Sequence, residues 1–98
     1  MKKTSKSFEL VHVIWVDAEE EGETGWNEFK SIKSYAKKPC PEMHSVGYVI
    51  FKNEHHISLV SSISKDKNIC STCEKIPITL VKEIISLCPK KDDKRKGK

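Results

Sequence analysis

Glycine is scarce in this 98-residue chain: it has four, and only Gly22 and Gly25 lie close together. That excludes the glycine-rich loops that wrap backbone N–H groups around a phosphate, and no nucleophile elbow is present. Long apolar runs are missing too, since none approaches the roughly 18 residues that a membrane-spanning helix needs. The opening stretch, MKKTSKSFEL, passes from lysines straight to polar residues, without the apolar segment of a secretory signal. The expectation is a cytoplasmic protein of one domain, with room for one modest core.

The chain is basic overall, but the body of the chain is not. Of the 18 basic residues, six fall in Lys90–Lys98 with two acids, and three in residues 1–6. Residues 7–89 keep nine bases against twelve acids, a net charge of −3. A nucleic-acid-binding domain carries its basic face on the folded body. The distribution therefore predicts solubilising, disordered basic ends at 1–6 and 90–98 around a domain at 7–89, and no nucleic-acid partner.

Four cysteines occur, at 40, 70, 73 and 88. In a cytoplasmic chain they are expected to be reduced. CSTC at 70–73 has the spacing of a zinc half-site, but a second half would have to come from Cys40, His44 or Cys88, and nothing else marks a zinc ribbon. No metal and no cofactor is assigned. Nor does a catalytic set emerge. Cys40 and His44 would still need an orienting group and an oxyanion donor, and His55 and His56, adjacent in a strand, point to opposite sides. The chain is read as a binder, not an enzyme.

What is present is strand pattern. FELVHVIWV (8–16) puts Phe8, Leu10, Ile14 and Val16 on one face and Val11, Val13 and Trp15 on the other, as in a central strand. His12 shares the first face and is expected to be a core histidine with its needs met. Thr24 reads as the N-cap of a helix over GWNEFKSIKSYAKK, with Trp26, Phe29, Ile32 and Tyr35 or Ala36 at helical spacing and Phe29 and Ile32 in the core. Pro39 and Pro41 end it. SVGYVIF (45–51) and HHISLVSSI (55–63) form a hairpin over KNE, with Asn53 expected in the left-handed region. SKDKN is a turn. Strands at 69–78 and 79–87 complete the set, the last assigned as strand because Ile and Val dominate it. The expected architecture is α+β: a bent antiparallel sheet or SH3/Sm-like partial barrel of about five strands, with one helix after the first strand packed on an open face or end.

Both tryptophans flank an acidic run of Asp17, Glu19, Glu20, Glu21 and Glu23. Such a run is a solvated loop, and its spacing fits no calcium loop. If it folds back, Trp15 and Trp26 can lie on the same end of the domain, and aromatic rings stack on bases. The serines of SLVSSISKDK, with Lys65 and Lys67, add donors for a ligand. The same tryptophans also suit a protein interface.

The ordered pattern W-x-D-A (15–18), G-W (25–26), V-G-Y (46–48), a serine-bearing strand and I-P (76–77) resembles a group of small bacteriophage proteins with a compact β-rich fold. In size and character the chain is similar to phage sponges that hide cyclic nucleotide signals of the host CBASS immune system without cleaving them. The resemblance implies a ligand such as cyclic GMP-AMP and places Trp15, Asp17, Trp26 and Tyr48 in the pattern. Together with the donors, the candidate ligand-binding residues are Trp15, Trp26, Tyr48, Ser62 and Lys65. A pseudo-symmetric ligand and a small chain imply a homo-oligomer with the site between subunits. The alternative is a host-takeover protein that grips a host protein through the acidic loop and its tryptophans.

Overall fold

The computed structural model describes residues 8–87; the tails assigned at 1–6 and 90–98, and Cys88, lie outside the described residues. Five strands form one antiparallel sheet: β1 (Leu10–Val16), β2 (Glu42–Lys52), β3 (His56–Val60), β4 (Cys73–Pro77) and β5 (Val81–Ser86). One helix, α1 (Phe29–Ala36), lies between β1 and β2. The strand order is β4-β3-β2-β1-β5. The architecture is the expected small α+β fold with a single open sheet, and no ladder joins β4 to β5 to close a barrel.

Among the described residues the core has no second layer, so the sheet has to cover itself. Strands β4 and β5 are the two edges, yet only the 3₁₀ turn Ile78–Leu80 separates them. Five strands laid flat at about 4.8 Å spacing would put their edges about 19 Å apart. A 3₁₀ turn rising about 2 Å per residue spans much less. The sheet therefore curls, helped by register breaks at Ile14/Trp15 in β1 and Val49/Phe51 in β2. Val11, Val13, Ile57, Leu59 and Ile76 are buried on the concave side, with Trp15, Val49, Ile78, Val81 and Ile84 packed against them. Burying each such aliphatic side chain stabilises by about 1.5–3 kcal/mol.

The faces of β1 alternate as expected: Val11 and Val13 are fully buried, while Leu10, His12, Ile14 and Val16 are half-buried. His12 is not a core histidine. It lies on the convex face with Nε2 2.8 Å from His44 Nδ1. The final strand is confirmed from Val81 on; its first residues are the 3₁₀ turn, because Pro77 holds the chain extended as it turns the corner. The strand expected at 69–78 is shorter, with Ile63 and Cys70 joined only by an isolated bridge.

Two local expectations need correction. A three-residue connection forms, at 53–55 instead of 52–54, but Asn53 is not left-handed; Lys67, at φ 63°, is the non-glycine residue with positive φ among the described residues. Asn53 works through its side chain instead, with Oδ1 accepting from the N–H groups of His55 and His56 at 2.8 and 3.0 Å. The helix begins four residues later than Thr24 predicts, with Glu28 as N-cap. Gly22 and Gly25 both have positive φ, and the Asn27 amide closes on Glu23, accepting from its N–H at 2.9 Å and donating to its C=O at 3.0 Å. A chain folded into that loop cannot start a helix. Ser31 then donates to the Glu28 carboxylate at 2.7 Å. Phe29 and Ile32 do not reach the core: no residue of α1 is buried, and Phe29 is 73% exposed. No helix among the described residues is long and apolar enough to cross a membrane.

Gly47 marks a close approach of β2 to β3. A Cβ there would sit 2.9 Å from the Val60 carbonyl oxygen and 3.1 Å from Leu59 Cβ. Gly47→Ala is expected to cost about 1–3 kcal/mol through forced backbone shifts, measured by urea unfolding; a cost near zero would mean that the β2–β3 contact is slack.

Candidate functional site

The end of β3 runs into residues 61–72, which fold into a compact loop. Ser71 ties its base: its hydroxyl accepts from Ser61 N–H at 2.9 Å and from Ser62 N–H at 3.2 Å. The Ser71 N–H donates to Ser62 C=O at 2.9 Å and Ser64 N–H to Ile69 C=O at 2.9 Å. At the tip, Lys67 N–H donates to Ser64 C=O at 2.8 Å, closing a turn over Lys65 and Asp66. Lys67 then takes the left-handed conformation, which costs a side-chain-bearing residue about 1–2 kcal/mol and suits Gly or Asn better.

This loop, β2 and Phe8 frame a pocket of about 500 Å³, within the range of small-molecule sites, about 300–1,000 Å³. Tyr48 reaches it from mid-sheet, where it pairs with Leu10 and Val60. Ser62, Ile63, Lys65 and Lys67 complete the wall. Three of the five sequence-predicted site residues, Tyr48, Ser62 and Lys65, are therefore neighbours. The pocket lining has two lysines and no carboxylate, against the net negative charge of the body. Asp66, between the lysines, faces inward to the turn: it accepts from Ser64 Oγ at 2.7 Å, from Asn68 N–H at 3.0 Å and from Asn68 Nδ2 at 3.1 Å. These bonds, Ser64 first, hold its carboxyl below the usual range. Its charge fastens the loop while the lysines stay available. Phe8, Ile63 and Lys67 also border a smaller, more apolar hollow of about 140 Å³ with Ile50 and Ile69.

The two tryptophans are not brought into this pocket. Trp15 leans on the core, and its Nε1 donates to Ser45 Oγ at 3.0 Å. It pairs with Met43, five residues along β1 from the Leu10–Tyr48 pair, about 17 Å at strand rise. Trp26 is fully exposed. The acidic run lies beside the helix instead, where Tyr35 Oη is buried without a hydrogen-bond partner in the described residues. Burial, and then the neighbouring Glu19 carboxylate, push the Tyr35 phenol up to about 12. Cys40, Cys70 and Cys73 are exposed free thiols, and no group of three or more metal-ligating side chains gathers among the described residues. His44 Nδ1 lies 2.8 Å from His12 Nε2, and its Nε2 lies 3.2 Å from the Glu42 carboxylate.

No family model, no curated protein and no solved structure matches this chain. Sequence reasoning undervalued Lys67. The turn pattern SKDKN was a signal for its position; its left-handed backbone, which only coordinates reveal, was not.

Two outcomes separate structural from available residues. Trp15→Ala is expected to cost about 2 kcal/mol or more, less than the 3–5 kcal/mol of a fully buried tryptophan. Trp26→Ala should stay within about 0.5 kcal/mol. Thermal melts of both check this, and similar losses would mean that Trp26 is packed. The Asp66 carboxylate, with a lowered folded pKa, stabilises above the ordinary carboxylate range and loses that contribution as pH falls through its folded value. Asp66→Ala should therefore lower Tm at pH 7, with the gap to the unaltered protein narrowing on acidification.

Proposed function

We propose that this protein is a bacteriophage anti-defence protein that binds a host cyclic nucleotide signal, a cyclic dinucleotide such as cyclic GMP-AMP, and sequesters it without cleavage in the host cytoplasm. One observation carries the reading: Tyr48, Ser62, Lys65 and Lys67, drawn from two segments, converge on one pocket that has no lining carboxylate. None of their terminal polar groups has a hydrogen bond or ion pair among the described residues. Two ammonium groups and two hydroxyls suit phosphate oxygens, and the Tyr48 and Phe8 rings suit a base face. Sequestration asks for tight grip, with nanomolar affinity worth about −12 kcal/mol, and for no acid, base or nucleophile. The ligand's pseudo-symmetry favours a homo-oligomer in which two copies each offer a pocket to one half of it.

Lys67 makes the test clean. Lys67→Gly relieves the left-handed backbone while deleting a cation, so it should leave Tm unchanged or raised and weaken the ligand about tenfold or more. Lys65→Glu should weaken it further. The measurement is thermal shift and calorimetric titration against cyclic di- and trinucleotides. Unaltered affinity in both variants would remove the pocket from the account, and no stabilisation by any member of the panel would remove the sponge reading.

The second reading, a grip on a host protein through the acidic loop, is favoured by the full exposure of Trp26 and the 73% exposure of Phe29 beside five carboxylates. Under it, Trp26→Ala abolishes partner binding and Lys65→Glu leaves it intact.

A further inference from the structure

On the convex face of the sheet, away from the lysine pocket's lining, four polar side chains form a chain across three strands. His12 is on β1, Glu42 and His44 on β2, and Lys82 on β5. His12 Nε2 lies 2.8 Å from His44 Nδ1, with ring centroids 5.0 Å apart. His44 Nε2 lies 3.2 Å from a Glu42 carboxylate oxygen, and Lys82 Nζ lies 3.0 Å from the other.

With both imidazoles neutral, the contacts place the protons as follows from donor and acceptor chemistry. A carboxylate only accepts, so His44 Nε2 carries the hydrogen and donates to Glu42. His44 Nδ1 is then left with a lone pair, and His12 Nε2–H donates to it. A histidine whose far N–H is fixed on a carboxylate, with its other nitrogen facing a second imidazole, is the arrangement in which outer-shell carboxylates orient metal-binding histidines.

We propose that His12 and His44 are a two-histidine site for an imidazole-preferring divalent transition-metal ion, of the zinc, copper and nickel class, with Glu42 as the positioning residue for His44. Binding uses His44 Nδ1 as it stands. His12 must move its proton from Nε2 to Nδ1 through solvent, which frees the Nε2 lone pair and releases no net proton. At metal–nitrogen distances of about 2.0–2.1 Å, two ligands of a tetrahedral ion lie about 3.3 Å apart. The rings thus need to part by roughly half an ångström beyond their present separation and pivot slightly. The His44 side chain is 52% exposed, so nothing packed resists that. His12 faces Val46 in the β1–β2 ladder, which makes it diagonal to His44, a separation within reach of long side chains. No third protein ligand gathers among the described residues, so water or an outside ligand completes the shell. The bound ion would staple β1 to β2.

The test is calorimetric titration of the full reduced chain with zinc sulfate, alongside histidine ¹⁵N NMR. The site predicts one ion per chain with selective shifts of the His12 and His44 ring nitrogens. His12→Ala and His44→Ala should each weaken binding at least tenfold without lowering Tm. Glu42→Gln should weaken it about 10–100-fold, with His44 changing its tautomer in the NMR spectrum. A Cys70→Ser/Cys73→Ser variant should bind as before. No uptake of zinc, uptake that survives both histidine variants, or uptake lost with the cysteines would each overturn the assignment.

Discussion

The short link between the two edge strands is the constraint on which the rest depends. Three residues of 3₁₀ helix join β4 to β5, although three other strands lie between them in the sheet. The chain satisfies both facts only by curling the sheet. Curling lets one layer bury its own concave face, so a domain with an unburied helix still has a core. It also explains Gly47, which sits where β2 and β3 are pressed together and where no side chain fits.

The curl also divides the labour between faces. The concave side is aliphatic and takes Trp15 with it. The convex side mixes half-buried Leu10, Ile14 and Val16 with the His12–His44–Glu42–Lys82 chain across β1, β2 and β5. Tyr48 pairs with Leu10 in the β1–β2 ladder and meets the 61–72 loop at the end of β3. That loop is held by serine hydroxyls and by Asp66, whose charge is spent inside the turn. The pocket lining thus has two lysines and no carboxylate within an acidic body, and the one acid between Lys65 and Lys67 is bonded inside the turn.

Much of this sheet was legible in the amino-acid order. Alternation in FELVHVIWV named both faces of β1 correctly, because a residue period of two has one structural meaning in a central strand. Tyr48, Ser62 and Lys65 were named as ligand residues, and they fall together because the β2–β3 hairpin register carries them to one end. The helix start was illegible for a specific reason: Thr24 is a good cap by type, but Gly22, Gly25 and Asn27 close a loop over it, and that competition depends on backbone angles. His12 looked like a core residue because its neighbours in the pattern are apolar. Its partner His44 is 32 residues away, a separation that sequence spacing alone does not bridge. Nor did spacing show that the Trp15 ring is fastened to Ser45 while the Trp26 ring is in solvent.

The central claim is that the lysine-lined pocket holds a cyclic nucleotide intact. The most direct measurement is to saturate the purified protein with cyclic GMP-AMP, remove free ligand by gel filtration, release the bound fraction by heat and chromatograph it. The account predicts that the ligand co-elutes with the protein and is recovered unchanged. Recovery as a linear or otherwise cleaved product, or protein that emerges from the column without ligand, would contradict it.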